Sequence, residues 1–264
     1  MDDGKKVQES QELSVALEAA RAAAKLSRRF YSGNFTIRTK ADRTPVTQAD
    51  VECEQLIREI ILGAFPDHGF FGEETGKSRE DSSRLWLVDP IDGTKGFVRQ
   101  YPFFSTQIAL SREGELVLGV SSGTMFDELA WAERGAGAWL NGKSLRVSNT
   151  AEIENAAVSA GNLASLAASA GWQAYGELVA AVDRIRGYGD FYHYHLLAAG
   201  KIDAVIESDV NILDIAALKV IVEEAGGVFT DLNGGEVDLQ TRSVLAANPA
   251  LHAAILPRIS GFVQ

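Results

Sequence analysis

Between residues 13 and 30, apolar side chains recur at helical spacing through an alanine-rich run, which predicts a long first helix broken at Ser32-Gly33-Asn34. Residues 35–46 read as polar and extended. Thr47, with Asp50 three positions on, has the form of a capping box. A second helix is expected from there to about Phe65, with Val51, Leu56, Ile57, Ile60 and Ile61 on one side and Pro66 as its stop. Short apolar runs bounded by turn residues predict strands over 69–72, 85–89, 105–111, 115–121 and 128–133, with Arg112-Glu113-Gly114 as a hairpin turn. A glycine-rich stretch over 134–150 follows and contains Asn141-Gly142. Beyond it, strands are expected over 157–161, 186–189, 203–207, 228–231 and 244–247. Helices are expected over 172–182, 190–199 and 213–225, with a last one after 247. The pattern divides near residue 147: an antiparallel-rich α+β half over 1–147 and an α/β half over 148–264.

Composition narrows the classes. With 264 residues, 46% hydrophobic and 23% charged, the chain has material for an ample core, as one large domain or two packed halves. A net charge of −11 argues against a nucleic-acid partner, which needs a basic surface. The apolar runs are far too short to cross a bilayer and no signal peptide is seen, so no membrane partner and a cytoplasmic location are expected. Cys53 is the one cysteine, which excludes an intrachain disulfide and suits a reducing compartment. Its place on a helix reads as packing, with no activating neighbour in the sequence.

The chemistry concentrates at Asp89-Pro90-Ile91-Asp92-Gly93-Thr94, directly after the apolar run Leu85-Trp86-Leu87-Val88. The strand is expected to end here, in two carboxylates with Pro90 and Gly93 punctuating a turn. Two neighbouring anions need a positive charge between them, and a divalent cation supplies it. The backbone N–H groups around Gly93, with the Thr94 hydroxyl, can face an anion. Oxygen ligands without a Cys or His cluster favour Mg²⁺ over Zn²⁺. Taken singly, Asp-Pro and Asp-Gly are turn formers, Asp214 is a helix-cap residue, and Glu73 and Glu74 are surface charge.

Taken together they resemble a family. Asp89 to Thr94 resembles the D-P-[IL]-D-G-T signature of the inositol monophosphatase superfamily of metal-dependent phosphomonoesterases. Phe71-Gly72-Glu73-Glu74 resembles its G-E-E element. Leu213-Asp214-Ile215-Ala216-Ala217 resembles its W-D-x-A-A element, with Leu213 in place of the tryptophan, and Glu223 to Gly227 resembles the E-A-G-G that follows. The resemblance spans roughly residues 10–260. It implies an αβαβα layered sandwich of the sugar phosphatase type, a homodimer, and about two to three Mg²⁺ ions per site. By that carry-over Glu73, Asp89 and the Ile91 carbonyl hold one ion, and Asp89, Asp92 and Asp214 a second. A weaker third lies near Glu73. Glu73 and Thr94 orient the attacking water, Asp50 accepts from the Thr94 hydroxyl, and the Gly93 and Thr94 N–H groups hold phosphate oxygens.

Substrate choice must come from the second half. The segment from Tyr188 through Gly200 and the stretch Val205-Ile206-Glu207-Ser208 resemble the histidinol-phosphate phosphatase branch. Asp190 and Glu207 fall at leaving-group positions of the family, and both are acids. Such a pocket suits a leaving group with an ammonium or imidazolium and not a second phosphate. Asp209 and Asn211 are looser candidates for substrate contact, Tyr188 is weaker, and His193 reads as a packed or solvated histidine more than a ligand. The other readings are an inositol-1-monophosphatase, a 3′-phosphoadenosine 5′-phosphate phosphatase, and a non-catalytic regulatory protein on the same scaffold. Fructose-1,6-bisphosphatase activity is disfavoured by the lack of basic residues.

Overall fold

The computed structural model describes residues 9–33, 37–39 and 45–259. In chain order its elements are α1 (Gln11–Tyr31), β1 (Ile37–Thr39), β2 (Pro45–Thr47), α2 (Gln48–Ala64), β3 (Gly69–Gly72), β4 (Gly76–Ser78), β5 (Arg84–Asp92), α3 (Thr94–Val98), β6 (Ser105–Arg112), β7 (Glu115–Gly123), β8 (Glu128–Glu133), β9 (Ala138–Leu140) and β10 (Lys143–Ser144). There follow β11 (Ala157–Ala160), α4 (Leu163–Ala168), α5 (Trp172–Ala181), β12 (Arg184–Arg186), α6 (Asp190–Ala198), β13 (Ala204–Ser208), α7 (Ile212–Glu224), β14 (Val228–Thr230), β15 (Ser243–Ala247) and α8 (Pro249–Ile259).

Side-chain alternation along the strands sorts the chain into layers. An eight-stranded sheet runs β10-β9-β8-β7-β6-β5-β3-β4, and a five-stranded sheet runs β12-β11-β13-β15-β14. On the first sheet Trp86, Val88, Ile108, Leu110, Leu118 and Val120 face one way, into a core with Leu13 and Leu17 of α1 and Cys53, Ile57 and Ile61 of α2. Leu87, Ala109, Ala130 and Ala132 face the other way, against α6 and α7, and that core continues to Val205, Val244 and Ala246 of the second sheet. The opposite face of the second sheet, with Val158, Ala204, Ile206 and Leu245, is covered by Leu166, Leu178, Leu251 and Ile255 from α4, α5 and α8. Helix, sheet, helix, sheet and helix therefore stack as the αβαβα sandwich.

The middle layer is thin because its residues are small. A Cβ on Gly119 of β7 would lie 2.3 Å from the Ala217 carbonyl oxygen and 2.9 Å from its Cα. Backbone cannot yield as a side-chain tip can, so Gly119→Ala is expected to lift α7 off the sheet. The expected cost is about 1–3 kcal/mol of stability, with activity lost as well because α7 carries Asp214. Thermal melting and turnover measured together check this.

Some boundaries differ from expectation. Val51 is 48% exposed; the buried face of α2 follows Ala49, Asp50, Cys53, Glu54, Ile57 and Ile61 instead. That face keeps helical spacing but includes two acids, which a search for apolar stripes passes over. The glycine-rich stretch folds into the β9–β10 hairpin, turned at Asn141 and Gly142, both at positive φ. The strand expected over 186–189 lies earlier, at β12, and the short β4, α3 and α4 had no distinct periodicity. Of the extended segment expected over 35–46, residues 35–36 and 40–44 lie outside the described residues. Cys53 is buried, and burial first, then the charges of Asp50 and Glu52, push its thiol up to about 12. No helix among the described residues is long and apolar enough to cross a membrane.

Candidate active site

In a regular strand, residues three apart point to opposite faces. Asp89 pairs with Gln107 of β6 and Asp92 with Ser105, so β5 advances three residues while β6 advances two. The surplus residue on β5 is a β-bulge, and it brings Asp92 round beside Asp89. The strand thus continues through both carboxylates, where the sequence predicted an end at Asp89. Pro90 is tolerated because a bulge position asks no ladder N–H of it. The bulge is pinned from both sides: Ile91 N–H donates to Asp89 Oδ1 at 2.9 Å, and Thr106 Oγ1 to the Pro90 carbonyl at 2.9 Å.

Asp214 arrives from the start of α7. Asn211 caps that helix by accepting from Leu213 N–H at 2.8 Å. Asp214 completes the box, accepting from Asn211 N–H at 3.0 Å and from Asn211 Nδ2 at 2.6 Å. The cap is therefore Asn211, whose side chain is committed to Asp214. Oxygens of Asp89, Asp92 and Asp214 all lie within 4.8 Å of one another.

Crowding and burial show in the acidities. Burial first, then Glu73 and the other carboxylates, raises Asp89 well above the usual carboxylate range; burial first, then Asp214, does the same to Asp92. Asp214 is pushed up to about 7, chiefly by burial. Asp92 is nonetheless held in place: Ser105 Oγ donates to its Oδ2 at 3.0 Å, and Gln107 Nε2 donates to Ser105 Oγ at 2.7 Å. Gln107 Oε1 is buried with no partner among the described residues. Three converging carboxylates, with no nitrogen or sulfur among them, fit a hard divalent cation.

Glu73 follows β3, its N–H donating to the Val88 carbonyl at 3.2 Å. It stands outside the tight trio but is the foremost charged neighbour of Asp89. Beneath it, fully buried Glu54 accepts from Glu74 N–H at 2.7 Å and Thr75 N–H at 2.8 Å, which fixes the turn that carries Glu73. Gly72 is needed there, since its Cβ would fall 2.4 Å from the Glu54 carboxylate. Asp50 does form the capping box with Thr47, whose N–H and hydroxyl both reach its Oδ2. Its Oδ1 lies 3.1 Å from Thr94 Oγ1, which also lies 3.1 Å from the Ile91 carbonyl. Thr94 opens α3 behind Gly93, which adopts φ 87°. The first N–H groups of such a turn have no partner inside the helix.

The second half meets this cluster at a small cavity lined by Asp92, Asp214, Asp190, Glu207, Asn162 and Tyr194, among others. Asp190, at positive φ as the first residue of α6, is pushed up to about 6 by burial and then by Glu207, with His193 and Lys95 acting the other way. Glu207 accepts from His193 and Tyr194, so His193 is engaged with a site acid and is more than a packed histidine. Asp209 is exposed at positive φ, and Leu213 lines a separate cleft beside Glu73. Glu54, Ser105, Gln107, Asn162 and Tyr194 were absent from the sequence reading. Glu54 left a trace, being one turn after Asp50 on the same helix face; the others depend on tertiary pairing.

Comparison with known proteins gives the class: the chain is a metal-dependent phosphatase. A solved structure of the extragenic suppressor protein suhB from Bartonella henselae superposes with a TM-score of 0.88 at 31% identity, covering 96% of this chain and 100% of that one. A histidinol-phosphatase from Mycobacterium tuberculosis is 38% identical over 255 residues, 94% of this chain and 98% of the relative. An inositol-1-monophosphatase from Caulobacter vibrioides is 37% identical over 92% of this chain and 98% of the relative. The chain belongs to the inositol monophosphatase family, whose model matches residues 8–263.

Proposed function

We propose that this enzyme hydrolyses L-histidinol phosphate to L-histidinol and phosphate with Mg²⁺ and serves histidine biosynthesis. The observation that carries the reading is the cavity beside Asp92 and Asp214, where Asp190 and Glu207 add two more acids and no lysine or arginine lines the wall among the described residues. A leaving group carrying an ammonium and an imidazole answers that charge; a second phosphate would be repelled. Asp190 is pushed up to about 6 by burial and then by Glu207, and a cation on the leaving group would answer that crowding.

In this reading Asp89, Asp92, Asp214, Glu73 and the Ile91 carbonyl hold about two to three Mg²⁺ ions. Cations held there would supply charge to offset the dianionic ester and the departing alkoxide, and would acidify a water. Thr94 and Glu73 would orient that water, and Asp50 accepts from the Thr94 hydroxyl at 3.1 Å, leaving the hydroxyl oxygen to accept from the water. The Gly93 and Thr94 N–H groups take phosphate oxygens. The same reading keeps 1–147 and 148–264 as two halves meeting at the site, and includes a cytoplasmic homodimer.

The first test is kcat/KM for L-histidinol phosphate, myo-inositol 1-phosphate and 3′-phosphoadenosine 5′-phosphate, each with an EDTA control. A preference of about a hundredfold for histidinol phosphate is expected. A flat profile, or a win for another ester, would return the enzyme to one of the two sister readings. The inositol reading has its own support in the Caulobacter relative's name, and carboxylates can also accept from polyol hydroxyls. Loss of all phosphate release would favour the regulatory reading. Asp190→Ala is expected to raise KM for histidinol phosphate about tenfold more than for a neutral sugar phosphate. Equal effects on both would remove Asp190 from the argument.

A further inference from the structure

Glu207 lies on β13 and is only 5% exposed. One of its oxygens takes all its bonds: Oε2 accepts from His193 Nε2 at 3.0 Å and from the Tyr194 hydroxyl at 2.7 Å. His193 is held in turn, with Nδ1 3.2 Å from Ser159 Oγ, and Ser159 Oγ accepts from Tyr188 N–H at 3.2 Å. Tyr188 N–H can only donate, so Ser159 accepts there. His193 reaches Glu207 through Nε2, whose proton points at the carboxylate, while Nδ1 faces the Ser159 hydroxyl, which can serve as donor or acceptor. His193, Tyr194 and Ser159 are 0%, 1% and 0% exposed, so water cannot replace these bonds.

Oε1 takes no bond from the described residues. It lies over Gly161, where a Cβ would come within 2.1 Å of it, so the glycine leaves it its place. Glu207 also lines the cavity with Asp92, Asp190 and Asp214. Resting on the reading of Glu207 as a leaving-group acid, we propose that His193, Tyr194 and Ser159 are positioning residues that fix Glu207 by one oxygen and present the other to a nitrogen-borne cation of the leaving group. One acceptor in one place selects a single donor direction. A carboxylate free to rotate would take polyol hydroxyls as readily.

The test uses the full chain with Mg²⁺, with L-histidinol phosphate against glycerol 2-phosphate, whose leaving group has no cation. Tyr194→Phe and His193→Leu are each expected to raise KM for histidinol phosphate about tenfold more than KM for glycerol 2-phosphate, with the split in KM and not in kcat. His193→Gln, whose amide N–H can still reach Oε2, is expected to recover most of the loss. A purely structural role moves both substrates together, and that result, or no change with either, overturns the inference. Where His193→Leu does not fold, Tyr194→Phe decides, since it removes a hydroxyl and leaves the ring. Glu207→Gln separates this inference from the reading beneath it. If it too leaves discrimination intact, the role of Glu207 fails and the inference with it. If it abolishes discrimination while Tyr194→Phe and His193→Leu do not, the positioning role alone falls.

Discussion

Asp92→Asn is expected to lower kcat on the order of a thousandfold while leaving the melting temperature of the metal-free protein unchanged or higher. The two halves of this prediction have one cause. Asp92 is buried among like charges, with Asp214 its foremost charged neighbour. Asparagine keeps the shape and an oxygen for the Ser105 hydroxyl, which donates to Asp92 at 3.0 Å. It removes a charge that the carboxylate cluster does not tolerate easily without metal and that a cation requires. Circular dichroism melting in EDTA, beside phosphate release in Mg²⁺, reads both. An unfolded variant, or a fully active one, contradicts the assignment.

Without metal, stability is expected to fall as pH rises from about 4 through neutrality, and Mg²⁺ is expected to reverse that fall. An unfolded aspartate titrates near 3.9. Folded Asp214 is pushed up to about 7 by burial and its neighbours, and Asp89 and Asp92 are raised well above the usual carboxylate range. The folded state therefore holds protons that the unfolded chain has already released. The benefit is fully present below about pH 4 and is lost as pH climbs toward the folded values. Ligands must be deprotonated to bind a cation, so Mg²⁺ acts most where the metal-free protein suffers most. The EDTA-treated protein is expected to melt roughly 5 °C or more lower at pH 8 than at pH 5.5, and millimolar Mg²⁺ to restore the loss at pH 8 with little effect at pH 5.5. Equal gains from Mg²⁺ at both values would mean the trio is not the binding site.

Much of this was legible because local chemistry repeats in sequence. Alanine spacing marked α1, and the Thr47 to Asp50 box marked the start of α2. Asp214 converges with Asp89 and Asp92, more than a hundred residues earlier in the chain, to within 4.8 Å. What stayed hidden depends on partners distant in sequence. Gly93 does turn the chain, but Pro90 read as part of that turn because nothing local says that β6 will pair past it as far as Asp92. Val51 looked inward because the true inward face of α2 holds Asp50 and Glu54, and buried acids break an apolar stripe. His193 looked like packing until β13 brought Glu207 to it.

The bulge in β5 makes arithmetic part of the site. Along a strand the two faces alternate like odd and even numbers, and Asp89 and Asp92 differ by an odd count. One unpaired residue changes the parity. Substituting Pro90 or Ile91 leaves the count alone and can perturb only the local shape. Deleting either one makes the count even, which a regular ladder already places on one face, so the acids would keep their side of the sheet and lose the bulge that sets the backbone between them. What this segment transmits is therefore a length as well as a set of side chains.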